Sequence, residues 1–96
     1  MIYKKQYKVS NREDAGEGIK LLRENDFTNQ GIISISESNN LEGRVDKYHV
    51  LDATVVISEI VGYATDVTIT AQGEEKISVA KSRLEETTKL KLKEEK

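Results

Sequence analysis

The chain has 96 residues, 36% hydrophobic and 33% charged, with no cysteine and no proline. That length supports one domain, spanning 1–96, with a small core and a densely charged surface. Without cysteine there are no disulfides, thiolate metal sites or thiol catalysis. No apolar run approaches the ~20 residues that cross a bilayer, and the first residues lack the apolar stretch of a secretory signal, so a cytoplasmic location is expected, or a nuclear one in a eukaryote. A net charge of −2 argues against strong non-specific binding to nucleic acid. The charge is unevenly spread, however: +4 over residues 1–12, −7 over 13–72 and +1 over 73–96.

Residues 2–9 alternate, with Tyr3, Tyr7 and Val9 on one face and Lys4, Gln6 and Lys8 on the other, which is strand period. Ser10 to Glu13 has capping-box spacing, and Ala15, Ile19 and Leu22 follow at helical intervals, so a helix is expected over about 12–25. Gly16 and Gly18 each cost roughly 1 kcal/mol inside that helix. They mark either a frayed helix start or the close approach of another backbone or a phosphate. After a turn-rich connector at 27–31, Ile32 to Ile35 forms a short apolar strand suited to the interior of a sheet.

The sequence predicts a second helix over about 45–61, with Leu51, Val55 and Ile60 on one side and Gly62 as its stop. The β-branched run Thr54-Val55-Val56-Ile57 weakens this reading, but the length of the pattern favours it. Val67 to Thr70 alternates as a strand. Beyond Gly73, residues 76–83 read as a basic hairpin arm, and Thr88, Leu90 and Leu92 alternate with Lys89, Lys91 and Lys93 as a final strand. The spacing of Ile77, Ala80 and Leu84 supports a competing helix over 77–92; the alternation favours the strand.

Catalytic and metal-binding patterns are lacking. His49 is the sole histidine, and its helical neighbours Asp46 and Asp52 offer a carboxylate but no nucleophile. The acidic residues lack the spacing of a calcium loop, and Gly16-Glu17-Gly18 lacks the Lys-Ser/Thr of a phosphate loop. The expectation is a non-enzyme without cofactor or metal. Lys76, Lys81 and Arg83 form the clearest basic cluster, although Glu74, Glu75, Glu85 and Glu86 flank it. The four tyrosines could stack on bases, but Tyr3 and Tyr7 fall on the inner face of the first strand.

Lys8-Val9-Ser10-Asn11, the segment Val55 to Val61, and Thr87-Thr88-Lys89-Leu90-Lys91-Leu92-Lys93 together resemble the Alba family of small dimeric DNA- and RNA-binding proteins of chromatin and ribonucleoprotein particles. The resemblance implies an α/β (α+β) β-α-β-α-β-β two-layer sandwich, in which a four-stranded mixed sheet carries two helices on one face. It also implies a homodimer or a heterodimer with a related chain, with the second helix near the interface. Arg12, Arg44, Lys76, Lys81 and Arg83 would neutralise phosphates, and no membrane is involved. The family's basic turn is replaced here by the acidic stretch 37–44, where only Gly43-Arg44 remains, so RNA or a ribonucleoprotein is favoured over bulk DNA. The alternative is a protein-interaction or assembly subunit that keeps such a fold without nucleic-acid binding.

Overall fold

The computed structural model describes residues 1–10, 12–39, 41, 43–60 and 63–95, and for 12–16 and 63–65 the backbone only. In chain order the elements are β1 (Tyr3–Val9), α1 (Arg12–Glu24), a 3-10 turn (Thr28–Gln30), β2 (Ile32–Asn39), β3 (Arg44–Val50), β4 (Ala53–Ile60), β5 (Tyr63–Ala71), α2 (Glu74–Thr88) and β6 (Leu92–Glu94). The six strands make one antiparallel sheet ordered β2-β3-β4-β5-β1-β6. The expected β-α-β-α-β-β order and four-stranded mixed sheet are therefore incorrect, although the class remains α+β.

The largest correction concerns residues 45–61. The described part, 45–60, forms no helix but most of a β3–β4 hairpin, turning at Leu51 and Asp52, while Val61 and the expected stop at Gly62 lie outside the described residues. Asp46, Tyr48 and Val50 are buried on one strand, and Ala53, Val55, Ile57 and Glu59 on the next. Each run has period two, and the phase shifts at the turn, so across both strands the apolar positions imitate a helical stripe. The branched residues 54–57 favour the extended form, where their side chains pack without loss of rotamer freedom. Leu51 takes the left-handed conformation (φ 56°) and donates its N–H to the Gly31 carbonyl at 2.8 Å.

The second correction concerns the expected basic hairpin arm, which is helix α2. Ile77, Ala80, Leu84 and Thr88 are buried along one stripe of it, the spacing expected of an amphipathic helix. Lys89 ends the helix in the left-handed conformation (φ 62°), its N–H bonded to the Glu85 carbonyl at 2.8 Å. The Thr88 hydroxyl donates to the Leu84 carbonyl and accepts from the Leu90 N–H. Of the final strand expected over 88–93, Leu92–Glu94 pairs with β1.

Both helices lie on one face of the sheet. Tyr7, Val9, Tyr48, Val50, Val55, Ile57, Val67 and Ile69 project into that layer against Ile19 and Leu22 of α1 and Ile77 and Leu84 of α2. The helices also meet each other: a Cβ built on Gly18 would lie 2.4 Å from the Thr88 carbonyl oxygen. Close backbone approach is thus the role of Gly18. Among the described residues, the intervening strand positions face the other way, where no helix covers them.

Candidate nucleic-acid interface

The uncovered face is assembled by strand register. One cross-strand row runs Lys4, Thr70, Thr54, His49 and Ile33; a second runs Gln6, Thr68, Val56 and Lys47; a third runs Lys8, Asp66, Ser58 and Val45, with Lys93 beside Lys8. Adjacent strands are about 4.8 Å apart, so Lys4 and Lys47, three strands apart, are separated by roughly 15 Å of threonine-rich surface. Lys4, Lys47 and Lys93 are exposed, and Thr54, Thr68 and Thr70 are half-buried. Lys8 pairs with Asp66 at 2.6 Å and with Glu95 at 3.9 Å. Four lysines against Asp66 and Glu95 give this face +2 in a chain of net charge −2.

The cations singled out by sequence are placed differently. Arg44 lies in an ion network on the helix side of the sheet: its Nε meets Asp46 at 2.9 Å and its Nη2 meets Glu37 at 2.6 Å. Hydrogen bonding to the Asp46 carboxylate holds its guanidinium charged above the ordinary arginine range, against the opposing effect of burial. Arg23 of α1 completes the network, donating to Asp46 at 2.7 Å and to Glu59. Asp46 and Glu59 are 1% and 7% exposed, so these arginines neutralise buried carboxylates.

On α2, Lys81 pairs with Glu85 at 3.4 Å and lies 5.6 Å from the Tyr7 ring centroid, within cation–π range. Burial, with help from Glu94 and Glu85, pushes the Tyr7 phenol above its ordinary value. Arg83 donates to the Gln30 carbonyl at 2.8 Å. Lys76 is exposed and lines a shallow groove with Asp52, Thr54 and Thr70 at the end of the open face. The side chain of Arg12 lies outside the described residues. The structure thus does not gather the other four into one patch, and of those four only Lys76 borders the lysine face.

Sequence reading places Lys93 on the lysine side of the final strand but joins neither it nor Lys47 to the lysines of β1. The alternation of Lys4, Gln6 and Lys8 was the visible signal of that face, but Lys47 was assigned to a helix. His49 and Asp46, expected on one helical face, project from opposite faces of β3, because three residues along a strand reverse direction. Tyr7 and Tyr48 are buried and Tyr3 points to the helix side, so among the described residues the open face carries no tyrosine or phenylalanine side chain, and its one aromatic ring is the exposed imidazole of His49. Nor does any group of three or more His, Asp or Glu side chains there form an arrangement able to hold a metal ion.

No family model, curated protein or solved structure matches the chain.

Proposed function

We propose that the domain is a non-enzymatic nucleic-acid-binding module that takes single-stranded RNA across its open sheet face. The observation that carries this reading is the concentration of Lys4, Lys8, Lys47 and Lys93, among threonines and Gln6, on the uncovered face of an otherwise acidic chain. A broad sheet cannot enter the major groove of a duplex, which admits a helix or a two-stranded ribbon. A single strand can lie across such a surface, with its phosphates near lysines and its bases near threonine and glutamine donors.

With His49 as the single aromatic ring among the described residues of that face, stacking contributes little and phosphate neutralisation dominates. Binding is then weakly sequence-dependent and steeply salt-dependent. Three to four phosphate contacts give a slope of log K against log salt of about −2 to −3 for a single strand. The test is fluorescence anisotropy with a labelled single-stranded RNA over a salt series. Lys4→Ala/Lys47→Ala/Lys93→Ala is expected to bring the slope to between zero and about −0.7, the one contact Lys8 still offers, while Lys81→Ala/Arg83→Ala leaves it unchanged. The reverse pattern, or no binding by the unmodified protein at about 50 mM salt, where weak phosphate contacts still register, rejects the reading.

A further inference from the structure

The two edges of the sheet are built differently. β6 is three residues long and carries Lys93 and Glu94, with Lys91 and Glu95 on either side. Short length and charge are the usual means of keeping an edge from pairing with another chain. The opposite edge, β2, runs for eight residues, Ile32–Asn39, with the sequence Ile-Ile-Ser-Ile-Ser-Glu-Ser-Asn. It has no lysine, arginine or proline, and all its residues after Ile32 are exposed, including Ile33 at 50% and Ile35 at 45%. Its single charge, Glu37, is held by Arg44 at 2.6 Å. One bulge between Ser34 and Ser36 is its only protective irregularity.

We infer that β2 is an assembly edge, and that its occupant is the β2 strand of a second copy of this chain, paired antiparallel about a twofold axis perpendicular to the sheet. Charge selects that occupant. A strongly basic or acidic peptide finds no free opposite charge on β2, whereas a neutral edge meets its own copy without repulsion. Pairing centred on Ser34 sets Ile33 of each copy beside Ile35 of the other, covering aliphatic surface that is otherwise wet. The same register keeps the two Glu37 side chains about 20 Å apart along the strands. Such an interface is self-complementary and closes at two copies, because each chain offers one unprotected edge. It produces a twelve-stranded sheet with all four helices on one side. The two open faces become continuous, but the pairing does not depend on what those faces bind.

Sedimentation velocity on the protein alone tests this. At about 100 µM, where micromolar association is complete, the unmodified protein is expected to sediment as a dimer of its 10.8 kDa chain. Ile33→Lys/Ile35→Lys is expected to be monomeric with an unchanged circular dichroism spectrum; Ser36→Arg serves the same purpose if the double variant does not fold. Glu94→Ser, on the other edge, should remain dimeric. A monomeric unmodified protein, a dimer that survives folded β2 variants, or a dimer lost with Glu94→Ser overturns the inference. Because no nucleic acid is present, failure here is separate from failure of the RNA reading.

Discussion

Replacing Arg23 by methionine removes a charge while keeping much of the side-chain volume. Arg23 contacts Asp46 at 3.2 Å through Nε and 2.7 Å through Nη2, and Nη2 also reaches Glu59. Asp46 keeps Arg44 in the variant, but Glu59, 7% exposed, loses the cation it faces. Removing one partner of a buried pair costs 3–5 kcal/mol because the other charge is left uncompensated. With the Arg23 side chain 24% exposed, the lower end of that range applies, about 3 kcal/mol. Total stability for a chain of this size is of order 10 kcal/mol, so the loss is a substantial fraction of it. The melting temperature should fall by about 12–24 °C, at 4–8 °C per kcal/mol. Urea and thermal unfolding followed by circular dichroism measure it. Adding Glu59→Leu should recover a good part of the loss, since an apolar replacement of both partners relieves the orphaned charge. A loss below about 1 kcal/mol, the value of a solvent-exposed pair, would refute the view that this network is desolvated.

Gly18→Ala should destabilise the domain by about 1–3 kcal/mol despite alanine's better helix propensity, because its Cβ would fall 2.4 Å from the Thr88 carbonyl oxygen; a stabilised variant in urea unfolding would contradict that helix contact. Lys89→Gly should stabilise by about 1 kcal/mol, since glycine occupies the left-handed helix end without steric penalty; the unfolding midpoint reads this directly. Asp26 accepts hydrogen bonds from the Thr28 hydroxyl and N–H, which hold its carboxyl below the ordinary 3.8. A depressed folded value means that its stabilisation is present above 3.8 and is lost as pH falls through the folded value. Asp26→Asn should therefore flatten that part of the acid unfolding profile, and an unchanged profile would remove Asp26 from it.

How much of this was legible depended on whether the burial pattern of a segment fitted one period only. In β1, Lys4, Gln6 and Lys8 alternate with buried Tyr7 and Val9, and strand and face could both be read. The stripe Ile19 and Leu22 likewise marked α1. Residues 45–61 fitted two periods, because the phase shift at Leu51 and Asp52 aligned two strand faces with a helical stripe. Only the β-branched run at 54–57 favoured the sheet. Between Ile77 and Leu92 the helix continues to Thr88, and its buried stripe passes into the buried Leu90 and Leu92 of the following segment, so the lysine alternation at the end obscured the helix before it. The lysine face escaped notice for a related reason. Its members come from β1, β3 and β6, which only the antiparallel register brings side by side.

The most direct measurement is a nuclear magnetic resonance titration of the labelled protein with single-stranded RNA, following lysine side-chain and threonine methyl signals. The account predicts shifts concentrated at Lys4, Lys47, Lys93, Thr54, Thr68 and Thr70, whose register places them on the open face. Shifts concentrated instead on Lys81, Arg83 and Thr87 of α2, with the sheet-face signals unmoved, would contradict it.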